Sequence, residues 1–280
     1  MSEWEAPAKL NLDLRLRPRD AHGYHPLRSV FQAVEWLDRL RVEEGDEDTL
    51  IIEGADLPEG GDNLVWKAIS ALELPQRPHL RMELDKSIAV AAGLGGGSAD
   101  AAAALAAVAD LMKLESSKVQ AAAAKVGADV PFFLTGGTAV VEGYGEQITP
   151  EEPLAGFAVA IAVPPFELAT PDVYRRWDEL EGPTGPELSG SELPPPLRRR
   201  FGELRNDLVP AAVSLRPELE DWMHDLGEAW EQPVLMSGSG PACFGFFLDL
   251  EEADDALSAV GDHRAAVAAD LRPRGVARRE

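Results

Sequence analysis

Between residues 88 and 112 the chain reads Ile88-Ala89-Val90, then Ala91-Ala92-Gly93-Leu94-Gly95-Gly96-Gly97-Ser98-Ala99-Asp100, then an alanine-rich run to Met112. Four of the five residues from Gly93 to Gly97 are glycine. Backbone there can enter regions closed to other residues, and no Cβ keeps a ligand at a distance. The run that follows predicts a helix from Ala101 to about Met112, with Ser98 or Asp100 as its cap. The free N–H groups and positive dipole end of such a helix favour an anion. A glycine-rich turn can also be a plain connector. A flexible connector, however, would not sit between an apolar triplet and a long helix, and the stretch reads as a phosphate cradle.

The commonest nucleotide motifs do not fit it. No lysine follows Gly97, so this is not a Walker A loop, and Ser98 stands where the dinucleotide fingerprint needs glycine or alanine. Neither Asp-Phe-Gly nor His-Arg-Asp occurs, which argues against a protein kinase.

The chain has 280 residues, enough for two domains or one large one, and its 45% hydrophobic content is that of an ordinary globular protein. The longest purely apolar run, Ala101 to Ala109, is far too short to span a membrane. Met1-Ser2-Glu3-Trp4-Glu5 has neither a basic region nor an apolar signal core. Cys243 is the only cysteine, so neither a disulfide framework nor a cysteine metal site is expected. The five histidines form no metal-ligand cluster. A cytoplasmic protein with no membrane partner is the expectation. The formal net charge of −23 argues against nucleic acid as a partner. It also means that an anionic substrate needs locally placed cations, and with 20 arginines to 6 lysines each lysine is worth inspecting.

From Lys9 onward the N-terminal stretch alternates. Leu10, Leu12, Leu14 and Leu16 share one face while Lys9, Asn11 and Asp13 share the other, as a half-buried strand requires. On that pattern alone Lys9 is a solvated strand residue. A turn from Pro18 to Pro26 leads to strands near Ser29 to Val34 and Thr49 to Glu53. Asp62-Asn63 caps a helix from about Leu64 to Leu72, and His79 to Leu84 is a strand feeding the glycine loop. Beyond that loop, Lys118 to Val126 is a helix ended by Gly127. Asp129 then stands in an otherwise apolar run, Val130-Pro131-Phe132-Phe133-Leu134, either as a capping or turn residue or as a functional carboxylate.

Glu151-Glu152-Pro153 marks an expected boundary between residues 1–150 and 151–280. Phe157 to Val163 reads as a buried strand, and Thr170-Pro171 as a helix start. Gly182 to Pro196 reads as a surface loop, and Arg198-Arg199-Arg200 as a solvated helix end. Asn206-Asp207 caps a further helix. Val234 to Gly245 is a strand entering a small-residue loop, Ser237-Gly238-Ser239-Gly240, with Cys243 a buried small hydrophobe. From Leu250 on the chain reads as helix and surface.

Three separated stretches, Pro7 to Leu12, Gly93 to Ser98 with its helix, and Met236 to Ala242, together resemble the three motifs of the GHMP small-molecule kinases. Ala8-Lys9-Leu10-Asn11-Leu12, Asp20-x-x-Gly23-Tyr24-His25 and Gly127-Ala128-Asp129-Val130-Pro131-Phe132 narrow the likeness to the branch that acts on a cytidine diphosphate-linked polyol. The resemblance covers nearly the whole chain and is weakest from about Gly182 to Gly227. It implies an α+β fold of two domains, 1–150 for ATP and catalysis and 151–280 for substrate, with both ligands bound between them. The implied reaction is transfer of phosphate from ATP, with Mg²⁺, to the 2-hydroxyl of the methylerythritol moiety, in non-mevalonate isoprenoid precursor synthesis by a monomer or homodimer.

By the same resemblance Asp129 takes or orients the hydroxyl proton, and Lys9 neutralises developing phosphoryl charge, which overrides the solvated reading of that lysine. Residues Ala89 through Ala99, with Asn63, form the nucleotide site, with Ser98 a contact for phosphate or Mg²⁺ and Lys86 nearby. Tyr24 and Tyr174 flank the cytosine, His25 hydrogen-bonds it, and Asn11 and Thr170 contact the diphosphate or polyol. The family usually has proline at Ala89, often glycine at Ala91 and often serine at Ala99. Two rivals share the features: another GHMP kinase, such as a homoserine or mevalonate enzyme, and a non-catalytic nucleotide binder of the same fold. The second would be expected to lack Lys9 or Asp129.

Overall fold

The computed structural model describes residues 1–21 and 23–279, so His22, in the expected turn from Pro18 to Pro26, lies outside the described residues. The first half of the chain forms β1 (Ser2–Leu16), β2 (Leu27–Gly45), β3 (Thr49–Glu53), α1 (Leu64–Ala71) and β4 (His79–Asp85). It continues through α2 (Gly96–Met112), α3 (Ser116–Val126), α4 (Val130–Thr135), β5 (Thr138–Gly143) and β6 (Gln147–Glu151). The second half forms β7 (Ala158–Val163), α5 (Thr170–Glu179), β8 (Glu187–Ser189), α6 (Pro195–Phe201) and β9 (Glu203–Arg205). It ends with α7 (Val209–Leu215), α8 (Glu218–Trp230), β10 (Leu235–Met236), β11 (Cys243–Phe247), α9 (Leu250–Leu257), β12 (Ala265–Asp270) and β13 (Ala277–Arg278).

The first sheet runs β13-β1-β2-β4-β3, with β5 and β6 branching from β2. At 19 residues β2 is long enough to pair with β1 on one side and to take two successive partners on the other. Leu27 to Gln32 pair with β5, and Arg39 to Gly45 pair with β4. The second sheet is β10-β11-β7-β12. Every residue of β7, Ala-Val-Ala-Ile-Ala-Val, is buried, because both faces of this strand are covered. Val159, Ile161 and Val163 pack with Leu10, Leu12 and Phe244 between the two sheets, while Ala158, Ala160 and Ala162 pack with Trp177, Leu219 and Leu226 of the outer helices. The other face of the first sheet is closed by α1 to α4, through Phe31, Leu84, Leu105 and Phe132 among others. Burying a side chain of this size stabilises the fold by about 2 kcal/mol.

The structure corrects several expectations. β1 is covered on both faces: Lys9 and Asn11 are each 4% exposed and Asp13 1%. Its alternation marks which sheet face meets which layer, not which face meets water. Two register shifts, at Pro7/Ala8 and Asn11/Asp13, bracket Lys9 and Asn11, the kind of local bend that re-aims side chains near a site. α2 begins at Gly96, five residues earlier than expected, with Gly95 at its cap position and no side chain capping it. Ser98 is therefore inside the first turn, and Asp100 is buried within the helix instead of capping it. β12 occupies part of the tail expected to be helix and surface, and pairs with β7 over Ala265 to Asp270. Its run of alanines carries too little periodicity to announce a strand. The 182–196 stretch carries β8 and a 3-10 turn, Gly190–Glu192.

Candidate active site

The glycine loop is held from three directions. Lys9 N–H donates to the Leu94 carbonyl at 2.9 Å, and Ala242 N–H donates to the Ala92 carbonyl at 3.1 Å. The Gly93 carbonyl accepts from Ser237 Oγ at 3.0 Å and from Lys9 Nζ at 2.6 Å. At Gly93, with φ +79°, an added Cβ would lie 2.2 Å from the Ser237 carbonyl oxygen, so only glycine lets the loop rest on the Ser237–Gly240 turn. Ala91 takes φ +53° without that freedom, which gives a physical reason for glycine at this position.

The loop borders a cavity of about 580 Å³. Of the residues singled out from the sequence, Lys9, Asn11, Asn63, Ala89 through Ser98, Asp129, Thr170 and Tyr174 line it. Ala99 does not; it is wholly buried in α2. Tyr24 and His25 are also outside the lining. Tyr24 is 65% exposed, and its ring pairs with Tyr144 at 5.7 Å. His25 stands edge-on to Trp177 at 5.1 Å and 5.9 Å from the Tyr174 ring. Its Nδ1 donates to the Arg17 carbonyl at 3.0 Å, and Nε2 lies 3.1 Å from Asp178.

Lys9 Nζ is buried among the Gly93 carbonyl, the Asn11 side-chain oxygen and the Phe31 ring, whose centre is 5.2 Å away. Burial lowers its ammonium below the ordinary lysine value, and the nearby Asp129 carboxylate opposes that fall. Asp129 occupies the cap position of α4, yet its side chain accepts no capping hydrogen bond. The carboxylate instead acts across the cavity on Lys9 and on Tyr174, whose hydroxyl is pushed up by burial and by that charge. Lys9 and Asp129 thus face one space from opposite ends of the sequence's first half.

Asn11 and Thr170 belong to the same wall. Asn11 Nδ2 donates to Ser29 Oγ at 2.9 Å, and Thr170 Oγ1 lies 2.7 Å from Ser239 Oγ. Asn63 also has a structural role, since its Oδ1 caps α1 by accepting from Val65 N–H at 2.9 Å. Lys86, expected near the nucleotide, also lines the cavity, but its acidic partners were not legible from the motifs. Lys86 Nζ pairs with Asp38 and, at 2.7 Å, with Asp100, all three buried. Asp38 also accepts from the Ser87 and Ile88 N–H groups at 2.6 and 2.8 Å, fixing the start of the glycine loop.

Lys9 and Lys86 are the only cationic side chains in the described lining, and Lys86 is neutralised by two carboxylates. An anion in this cavity therefore meets Lys9 and backbone N–H groups, chiefly those of the uncapped first turn of α2. Such an arrangement can hold a polyphosphate and present a carboxylate to a hydroxyl.

Known proteins share this architecture. Residues 63–137 match the N-terminal domain of GHMP kinases and residues 197–266 match their C-terminal domain. The 4-diphosphocytidyl-2-C-methyl-D-erythritol kinase of Cutibacterium acnes is 39% identical over 274 residues, covering 91% of this chain and 88% of its own. The enzyme of that name from Saccharopolyspora erythraea is 39% identical over 264 residues, covering 88% and 83%. A crystal structure of 4-(cytidine 5'-diphospho)-2C-methyl-D-erythritol kinase superposes with a TM-score of 0.75 at 33% identity, over 96% of this chain and 98% of that one. Homoserine kinase from Cytophaga hutchinsonii, at 20% identity and a TM-score of 0.71 over 99% and 96%, shares the fold. With both halves matched, and with relatives this similar along most of its length, the chain belongs to the GHMP kinase family.

Proposed function

We propose that the chain is an ATP-dependent kinase that phosphorylates the 2-hydroxyl of 4-diphosphocytidyl-2-C-methyl-D-erythritol in non-mevalonate isoprenoid precursor synthesis. The observation that carries this reading is that Lys9, Asp129 and the triple-glycine loop all border one cavity.

Backbone N–H groups of the loop and of the first turn of α2 hold the ATP phosphates. Asp129 accepts the proton of the attacking hydroxyl, or orients that hydroxyl toward the terminal phosphorus. Lys9, held between Gly93 and Asn11, offers its charge to the phosphoryl oxygens as negative charge builds on them. Asn11 and Thr170 contact the diphosphate or polyol. Tyr174 stacks on the cytosine from within the cavity and Tyr24 closes on it from the lip; for His25 to hydrogen-bond the base through its ring, the ring gives up Arg17 or Asp178. Mg²⁺ suits the site as a companion of ATP, because it is usually held by substrate phosphates with few protein ligands. Ser98, in the first turn of α2, and the cavity-facing Asp129 offer oxygens of the type it prefers. When bound, Mg²⁺ neutralises phosphate charge. No helix of the described residues is long and apolar enough to cross a membrane. We take the enzyme to be cytoplasmic and to act on small molecules as a monomer or homodimer.

An ATP-consumption assay offering the cytidyl substrate, homoserine and mevalonate in parallel tests the reading. Turnover of the first is expected; turnover of only the other two would overturn it. Asp129→Asn should cut kcat by at least about 100-fold with ATP affinity little changed, and near-normal turnover would remove Asp129 from the mechanism.

A further inference from the structure

Tyr144 belongs to no motif, yet it lines the cavity and reaches away from it to a second element. It sits in the turn between β5 and β6, beside Gly145, where an added Cβ would come within 2.8 Å of the Ala128 side chain. That close fit seats the turn against the residue next to Asp129. From there the Tyr144 hydroxyl donates to the Asp20 carboxylate, and its ring meets Tyr24 at a centroid distance of 5.7 Å. Asp20 and Tyr24 lie in the connection from β1 to β2, which closes largely on itself. Asp20 N–H donates to the Tyr24 carbonyl at 3.0 Å, Gly23 N–H to the Asp20 carbonyl at 3.0 Å, and Tyr24 N–H to Asp20 Oδ1 at 3.3 Å. At one end this connection is anchored to α5 by Arg19 and His25, 2.7 and 3.1 Å from Asp178. Toward the cavity, Tyr144 also holds it, through Asp20 and Tyr24.

We propose that Tyr144 is a positioning residue for the nucleotide-linked substrate, latching Asp20 and Tyr24 at the cavity lip so that the Tyr24 ring stands ready for a flat heteroaromatic base. This rests on the kinase reading above. A free Tyr24, 65% exposed and with one ring neighbour among the described residues, would have to give up rotamer and backbone freedom each time substrate binds. The latch removes part of that cost beforehand. The described hydrogen bonds of Tyr144 run to Glu146 and Asp20 and not to the glycine loop, so the effect falls on the substrate and spares ATP.

Steady-state kinetics on the full chain, with 4-diphosphocytidyl-2-C-methyl-D-erythritol and ATP varied separately, test this. Tyr144→Phe, which keeps the ring and loses the hydroxyl, should raise KM for the cytidyl substrate about threefold to tenfold, and Tyr144→Ala more than about tenfold. KM for ATP should stay within about twofold for both variants. Asp20→Ala should be at least as poor as Tyr144→Phe, and adding Tyr144→Phe to it should cost little more, because the two share one bond. An unchanged substrate KM in Tyr144→Ala, or an ATP KM that rises in step with it, overturns the proposal while leaving the kinase reading intact. A wild-type chain that does not turn over the cytidyl substrate sinks the kinase reading, and this proposal with it. Tyr144 is on an exposed turn, so thermal midpoints of the variants should match wild type and separate a lost latch from a lost fold.

Discussion

The Lys9 ammonium donates to the Gly93 carbonyl at 2.6 Å, joining the first strand of the chain to the glycine loop. A residue expected to neutralise phosphate charge is thereby also a strut for the loop that binds phosphate. Lys9→Met should therefore lower kcat by about 100-fold or more and also weaken ATP binding. Lys9→Arg should not rescue it, because a planar guanidinium does not fit where a compact ammonium meets Gly93 and Asn11. Burial has already lowered the Lys9 ammonium, with Asp129 opposing, so raising pH removes this cation sooner than it would a surface lysine. The alkaline limb of the wild-type kcat/KM profile, which reports the free enzyme, should lie below the ordinary lysine range and vanish in Lys9→Met. A wild-type profile flat to the lysine range would contradict the assignment.

Gly93→Ala tests the seat of the loop. The new Cβ would meet the Ser237 carbonyl oxygen at 2.2 Å at a positive φ, so the variant should lose at least about 2 kcal/mol of stability or release the loop from its seat. Chemical denaturation and nucleotide titration together would register either result, and wild-type behaviour in both would show that the contact is easily relaxed.

Ala91 carries a left-handed backbone, φ +53°, at a cost of about 1 kcal/mol for a residue with a Cβ. Ala91→Gly should keep or improve ATP affinity. Ala91→Val, with a β-branched side chain where φ is positive, should weaken it at least about fivefold. Equal affinities for the two variants, measured by titration, would mean that the loop adopts another conformation with ATP bound.

Asp100 is pushed up to about 7 by burial, with Lys86 opposing and Asp38 adding to the rise. An acid whose value in the folded state exceeds its unfolded value favours folding when protonated. Its ionisation costs stability as pH climbs from the unfolded carboxylate range through about 7. Asp100→Asn has nothing to ionise. Between about pH 4 and about pH 8 the stability gap between variant and wild type should move in the variant's favour by about 1–3 kcal/mol. Denaturant midpoints across that range check it, and a constant gap would place the buried charge elsewhere.

The parts of the site legible in the sequence are those where backbone chemistry restricts residue choice. The clustered glycines marked the loop, and Asn63 marked the start of α1, where it does cap. The strand through Lys9 showed itself by alternation, but its burial did not. Two-sided covering depends on the second sheet, whose strands lie more than 140 residues further on. Asp38 carried no signal, since one acid in a long strand looks like solvent-facing polarity until Lys86 and Asp100 arrive beside it. Tyr144 was legible only as part of a turn, because its partners come from a connection about 120 residues earlier, the separation of its bond to Asp20 being 124 residues. β12 was missed because a string of alanines suits helix and strand alike.

The seat of the glycine loop also bears on how the protein is made. Gly93 and the Ser237 hydroxyl that holds its carbonyl are 144 residues apart, so a ribosome emits the loop long before it emits the surface on which the loop rests. Over that span the nascent chain has the glycines but not their support, and a competent nucleotide grip must wait until the Ser237–Gly240 turn has left the exit tunnel. Translation thus orders the gain of activity, with ATP capture acquired only once residues 237–240 have emerged.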